Sequence, residues 1–409
     1  MPAGRHRFNT IRHLCGRAPA GSVHPPKPLP QPISLMSPTT DSSVAHILHG
    51  IADRVEHGVV ILGPTQLRAH RRLLYVNSYG GIDVWRKIRA GLLPTHHLWG
   101  CVQLARMGYE VALAEAIPDF DYRRRPLPHD LRLYKLVRHW LRNDDIVYCA
   151  HNVLYWLPFL RKLRLFRRHF VSLLFAHENL DFSECHSAVV ALTPTAAHQA
   201  ARLAPKAKIA HLGWGADLDF YPYRPYRAEY LLHCGIAGRD FPTLSKAAFQ
   251  CHHPIRIVAS QNLTSISWPK NVQVVDGGRG YNHEDKKVSF PELINEHYAG
   301  AAASLIVTIS NPKKDHALGF TNLIEAMALG KPIIHTHTGA LADEIEVQQR
   351  GCGLSIPPGD PIALAQAMNT IMSDPEMAAT MGQKARQLSE SHYNIARFSG
   401  ELDRLFTSL

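Results

Sequence analysis

Gly319-Phe320-Thr321-Asn322-Leu323-Ile324-Glu325-Ala326-Met327-Ala328-Leu329-Gly330-Lys331-Pro332-Ile333-Ile334 is the stretch on which the reading of the fold turns. A glycine loop leads into a helix starting near Thr321 or Asn322. Gly330 stops the helix and Pro332 prevents its continuation. A buried strand follows. The first N–H groups of such a helix lack intrahelical partners and lie at the positive end of its dipole, which suits a phosphate. Glu325 sits one turn in, where its carboxylate can turn back toward the same ligand and accept both hydroxyls of a ribose. The same residues also spell a capping box, Asn322-x-x-Glu325, in which Glu325 satisfies only a backbone donor. The local pattern leaves both readings open.

Outward from this stretch, short apolar runs recur between helical segments. Before it come Tyr230-Leu231-Leu232, Ile255-Arg256-Ile257-Val258, Val272-Gln273-Val274-Val275 and Ser304-Leu305-Ile306-Val307. In the first half, Leu73-Leu74-Tyr75-Val76 runs to Gly80-Gly81. A helix is expected from about Thr95 to Met107, then strands at Glu110 to Ala114, Asp145 to Cys149, Val171 to Phe175 and Ala188 to Leu192. Apolar strands alternating with helices predict parallel sheets covered on both faces. Tyr221-Pro222-Tyr223-Arg224-Pro225 reads as a linker between two such halves. The expected division is 1–70 outside the core, 71–222 and 223–385 as two Rossmann-like domains, and 386–409 as a terminal helix returning to the first domain. A cleft between two domains is a preferred ligand site.

Composition bounds the function. The 409 residues suffice for two domains, and 45% hydrophobic with 19% charged residues is ordinary for a soluble globular chain. No run approaches the ~18 apolar residues that cross a bilayer. The seven cysteines (Cys15, Cys101, Cys149, Cys185, Cys234, Cys251 and Cys352) show no C-x-x-C pair. That disfavours a disulfide framework or a zinc ribbon and fits a reducing cytoplasm. The net charge of +11 calls for an acidic partner: nucleic acid, anionic lipid or a phosphorylated substrate. No nucleic-acid motif appears. Residues 1–40 hold no Asp or Glu and include the proline-rich run Val23 to Pro32, so they read as disordered. A transit peptide, or a true start at Met36, are the alternatives.

The 319–334 stretch resembles the donor-site motif of glycosyltransferase family four, the group 1 glycosyltransferases of GT-B fold. The resemblance extends to Gly351-Cys352-Gly353-Leu354-Ser355-Ile356-Pro357-Pro358-Gly359-Asp360-Pro361, to Met381-Gly382-Gln383-Lys384-Ala385-Arg386, and to the loop Gly235-Ile236-Ala237-Gly238-Arg239-Asp240. His211-Leu212-Gly213-Trp214-Gly215-Ala216-Asp217 is similar to the family's turn at the domain junction, and Leu104 to Val111 to its L-A-x-x-G-H-E-V run. What the resemblance implies is a nucleotide-sugar-dependent transferase. Glu325 would bind the ribose, and the backbone of Gly319, Phe320, Thr321 and Asn322, with Arg239, the diphosphate. The acceptor would lie against the first domain, with Gly80, Gly81 and His97 in its loops and His177 facing the donor sugar as the catalytic residue. The family retains anomeric configuration and needs no metal, and its only small-molecule requirement is the nucleotide sugar itself. Two departures stand out. The family's motif often opens with another Glu, and that position is Ala317 here. No lysine follows Arg239 at the family's phosphate-binding position, because Phe241-Pro242-Thr243-Leu244 comes next.

Several residues have plainer alternatives. Arg239 could pair with Asp240 at the surface. His96, His97 and His177 could be ordinary loop histidines. His335 and His337 share a strand face, yet no third ligand stands beside them, so no metal is expected. Phe159, Leu163, Phe166 and Phe170 fall at helical spacing within Trp156 to Phe175, among Arg161, Lys162, Arg164, Arg167 and Arg168. This predicts a basic amphipathic helix, either packed on the sheet or lying on an anionic membrane at its cytoplasmic face. The acceptor would be a glycan, a lipid-linked sugar or a small molecule. Two rivals survive: a silent nucleotide-sugar-binding protein, kept alive by Ala317, and a nucleotide-sugar epimerase.

Overall fold

Runs dominated by apolar residues become strands buried at every position: β5 (Ile146–Ala150), β7 (Ala188–Ala191), β9 (Tyr230–Cys234), β12 (Ala301–Ile306) and β13 (Ile333–Thr336). Strands of a parallel sheet covered on both faces have no polar side to show. The computed structural model describes residues 50–56, 58–65, 70–77, 80–114, 127–150, 156–165, 167–174, 185–278, 287–310, 317–338 and 344–409, all within one compact unit.

Two sheets result. The first runs β1-β2-β4-β3-β5-β6-β7-β8. It is completed by β1 (Ile51–Glu56), β2 (Val59–Pro64), β3 (Arg71–Val76), β4 (Tyr109–Leu113), β6 (His169–Leu174) and β8 (Lys208–His211). From β4 to β8 the neighbours are parallel, while β1 pairs β2 and β2 pairs β4 antiparallel. The second is parallel throughout, β11-β10-β9-β12-β13-β14. It adds β10 (Ile255–Ala259), β11 (Val272–Asp276) and β14 (Gly353–Ile356).

Among the parallel strands, order reverses once in each sheet, between β3 and β5 and between β9 and β12. Ligands of open α/β sheets bind at such switch points, outside the carboxyl ends of the strands. The loop after β9 is Gly235 to Arg239. The helix Phe320–Leu329, which follows β12, begins beside it. The chain's last helix, Ile395–Thr407, packs on the first-domain helix Cys101–Arg106. Tyr109 donates to Asp403 at 2.8 Å, and Arg71 donates to the carbonyl of Phe406. One hydrophobic core cluster contains Leu73 and Trp214 together with Leu323 and Phe398, so the two sheets share apolar packing.

Three expectations are corrected. The core begins before residue 71: β1 and β2 extend the first sheet on its antiparallel edge. β2 is the apolar run Val59-Val60-Ile61-Leu62, all buried, and Gly58 supplies the positive φ of 76° beside the turn. The helix expected over Thr95 to Met107 is broken into the 3₁₀ turn Thr95–Leu98 and the helix Cys101–Arg106. Trp99 and Gly100 between them are left-handed, and a Cβ on Gly100 would stand 2.8 Å from Ser399 Oγ. The terminal helix crosses there and needs a bare backbone. Finally, Trp156 to Phe175 is not one helix. The helix ends at Lys162, Arg164 is left-handed, and β6 begins at His169. Phe170 lies in the sheet core and shares no helical face with Leu163. The pairing of β6 with β5 and β7 overrides the local helical spacing. Residues 1–49, Phe166 and His177 lie outside the described residues.

Candidate functional site

Gly319 is the N-cap of the helix Phe320–Leu329, left-handed at φ 88°, and no side chain caps this end. A Cβ on Gly319 would stand 2.5 Å from Ile306 Cγ2, so only glycine lets the helix start this close to β12. Because the helix begins at Phe320, Asn322 is inside it and cannot be its N-cap. Its side chain turns to the loop after β9, where Oδ1 accepts from Arg239 Nη2 and Nδ2 reaches Cys234 Sγ at 3.4 Å. Glu325 accepts from the hydroxyl of Tyr221 at 2.7 Å and is 2% exposed. The capping-box reading of Asn322 and Glu325 therefore fails.

Arg239 is not at the surface. It is 9% exposed and folds back over Gly235, where a Cβ would meet its Nη2 at 1.9 Å. Nε donates to the carbonyl of Cys234 and Nη1 to that of Ala237, both at 3.2 Å. Asp240, its sequence neighbour, instead caps the helix Phe241–Ala248. Among the described residues no carboxylate forms an ion pair with this guanidinium, and Glu325 acts on it only at longer range. Burial lowers its pKa. A buried cation surrounded by neutral acceptors is costly. This one lies against the positive end of a helix without a side-chain cap, which adds to the same field.

The first domain reaches the same place through the turn Thr95–Leu98. Asp217, in the segment joining the two sheets, accepts from the backbone N–H of Thr95 at 3.0 Å and from its hydroxyl. Gln103 donates to that hydroxyl at 2.8 Å. The Asp217 N–H in turn donates to His96 Nδ1 at 3.2 Å. Burial lowers the His96 pKa to about 4, against the raising influence of Asp217, so the ring is neutral near pH 7. With Nδ1 accepting, the ring proton is on Nε2. That nitrogen faces Glu325 Oε1 at 3.6 Å. His97 lies beside it, its ring 4.7 Å from that of His96 and edge-on to Phe290 at 5.4 Å.

His96, His97 and Glu325 bring three ligand atoms within 4.8 Å of one another, a spacing that would also suit a cation. In the tautomer fixed by Asp217, His96 Nε2 carries the ring hydrogen, and a protonated ring nitrogen has no lone pair for a metal.

A cleft of about 730 Å³ opens at the carboxyl ends of β10 and β11, lined by residues that include Asn262, Trp268, Asp276 and Lys287. Gln261 on its wall donates to the carbonyl of Ile236, tying it to the loop that holds Arg239. In the first domain, Gly80 and Gly81 open the helix Gly81–Arg89 at the first sheet's switch point. The expected site residues thus fall into two groups. Arg239, Gly319, Phe320, Thr321, Asn322, Glu325 and His97 converge, while Gly80 and Gly81 belong to a separate loop. Sequence reading missed Tyr221 and Asp217 as members. The one signal for Asp217 was its place at the end of the junction motif from His211.

Comparison with known proteins follows the same division. Residues 295–388 match the family model "Glycosyl transferases group 1". No curated protein matches by sequence. Among solved structures, sucrose-phosphate synthase from Thermosynechococcus elongatus is similar at a TM-score of 0.59 and 15% identity, over 83% of this chain and 99% of that one. HepE from Anabaena, in complex with UDP and glucose, gives 0.56 and 17%, over 83% and 100%. A glycosyltransferase from Rickettsia africae gives 0.56 and 15%, over 84% and 99%. The fold is GT-B, with two Rossmann-like domains.

Proposed function

We propose that this chain, whose residues 295–388 belong to the group 1 glycosyl transferases, transfers a sugar from a nucleoside-diphosphate donor to a hydroxyl acceptor. The observation that carries the reading is Arg239: a buried guanidinium with only neutral hydrogen-bond partners, set against a glycine-led helix start that no side chain caps. A diphosphate supplies the missing charge, with Gly319, Phe320, Thr321 and Asn322 presenting backbone to it. Glu325 takes the ribose hydroxyls. The cleft beside Gln261 takes the base, whose flat face suits Trp268. The solved HepE complexes hold UDP, which makes UDP the first nucleotide to try.

The transfer we propose retains anomeric configuration and uses no metal. Ala317 occupies the position where the family often has a carboxylate, so the reading calls on no protein nucleophile. Attack then comes from the face the diphosphate leaves, and the departing phosphate oxygen takes the acceptor proton. The chain's part is to hold both substrates and to stabilise the diphosphate charge with Arg239 and the helix N-terminus. His177 and the Gly80–Gly81 loop are the proposed acceptor side.

Hydrolysis of UDP-, GDP-, ADP- and TDP-sugars, with and without EDTA, tests this. Turnover of one donor that survives the chelator supports it. Binding without turnover of any donor leaves only the silent nucleotide-sugar-binding reading, and loss with EDTA restored by manganese contradicts the mechanism.

A specific observation also favours an anionic membrane as the place of work. The turn between the helix Trp156–Lys162 and β6 exposes Leu163 and Leu165, at 52% and 67%, and Lys162, Arg164 and Arg167 beside them are exposed. Two leucines can enter an interface while each nearby base contributes about 1 kcal/mol of attraction. Co-sedimentation with anionic but not neutral vesicles, lost in the double variant Leu163→Glu and Leu165→Glu, is the expected result. Equal partitioning to both vesicle types would overturn it.

A further inference from the structure

His96 Nε2 is a buried donor with nothing to donate to. The residue is 0% exposed, and among the described residues the nitrogen has no hydrogen-bond partner. Glu325 Oε1, the acceptor it faces, is 3.6 Å away, beyond hydrogen-bond range. A buried polar hydrogen left unpaired is costly, yet the surroundings hold the ring in this pose. Asp217 N–H occupies Nδ1. Tyr221 stacks on one side at 5.8 Å and 29°, and Trp214 meets the ring edge-on at 5.4 Å. The ring cannot turn its donor elsewhere without losing these contacts.

An oxygen about 2.8 Å from both atoms closes the triangle over a 3.6 Å base. That oxygen must accept from Nε2 and donate to the Glu325 carboxylate. A hydroxyl does both, whereas a carbonyl or a phosphate oxygen would face the carboxylate with no proton to give. Resting on the donor-site reading above, we infer that His96 reads the ribose of the nucleotide: one hydroxyl of the sugar accepts from His96 Nε2–H and donates to Glu325. The two contacts come from opposite halves of the chain, the turn after Pro94 and the helix after Gly319.

A site built to pair a hydroxyl rejects the analogue that lacks it, because the His96 Nε2 donor is then stranded. The site should therefore prefer ribonucleotides over deoxyribonucleotides, and His96 should carry a separable share of that preference. The experiment is equilibrium binding of UDP, GDP and ADP, each with its 2′-deoxy and 3′-deoxy counterparts, to the full chain. The wild type is expected to bind one ribonucleotide at least about tenfold more tightly than one of its deoxy forms. In His96→Asn, the side-chain oxygen can still accept the Asp217 N–H while the far donor is gone. Its preference should fall about threefold or more, through weaker ribonucleotide binding with deoxynucleotide affinity unchanged. His96→Gln, which keeps a far donor, should restore the preference. Equal wild-type affinity for ribo and both deoxy forms overturns the inference without any variant, as does His96→Asn weakening all forms alike. If the wild type binds none of the three ribonucleotides, the donor-site reading itself falls.

Discussion

Two helices of this molecule start in the same way and in the same topological place, and only one has the make-up of an anion site. Gly80 opens the helix Gly81–Arg89 at the switch point of the first sheet, and Gly319 opens Phe320–Leu329 at that of the second. Neither start has a side-chain cap. At the first, the Gly81 N–H is already given to the carbonyl of Ala114, and Asp83 puts a negative charge in the opening turn. At the second, the opening turn has no acid, and Arg239 is buried against it with neutral partners only. A glycine and a helix end make space for a phosphate. The sign of the nearby charge decides whether one is held.

The sharpest way to break this comparison is to add one methyl group at each start. Gly319→Ala forces a left-handed alanine, about 1–2 kcal/mol by itself, and drives its Cβ to within 2.5 Å of Ile306. We expect a clear fall in melting temperature and loss of nucleotide binding. Gly81→Ala has ordinary backbone angles, and its nearest new contacts are 3.3 Å from Ala114 O and 3.4 Å from Leu113 Cβ. It should leave nucleotide affinity unchanged. Equal damage to nucleotide binding from both would mean that the two starts share the donor.

Next in size is the charge. Arg239→Ala should weaken donor binding or turnover at least tenfold, about 1.4 kcal/mol. Arg239→Lys should recover only part of this, because one ammonium cannot reach Cys234 O, Ala237 O and Asn322 Oδ1 together. Unchanged activity in Arg239→Ala would remove the residue from the account. The smallest effect belongs to the first helix: Asp83→Asn should leave nucleotide affinity within about twofold, since its carboxylate is spent on Lys87 at 2.7 Å.

The same contrast shows what could be read before the fold was known. The strands of the parallel core were legible because burial on both faces writes an unbroken apolar run, as in Ala188 to Ala191. The second-domain site was legible because its parts are local: Gly319 to Glu325 span two helical turns, and Arg239 follows its own glycine loop. β1 was not legible, because as an edge strand it alternates between half-buried and exposed positions and carries no core pattern. The break at Trp99 and Gly100 is imposed by Ser399, on a helix distant in the chain, which no local propensity encodes. The partners of Glu325 were hidden for the same reason. Tyr221 and His96 lie in other segments of the chain and meet the carboxylate only after both sheets have formed.

The central claim is that a nucleoside diphosphate sits between Gly319, Arg239 and Glu325. Calorimetric titration of UDP, GDP and ADP into the wild type and Glu325→Gln, with melting temperatures measured alongside, tests it most directly. The account predicts that the wild type binds one of them and that Glu325→Gln binds it about tenfold or more weakly. The variant's melting temperature should be nearly unchanged, because the Gln amide oxygen can still accept from Tyr221. Wild-type protein that binds none of the three, or a variant with full affinity and a lowered melting temperature, would contradict it and leave Glu325 a structural residue.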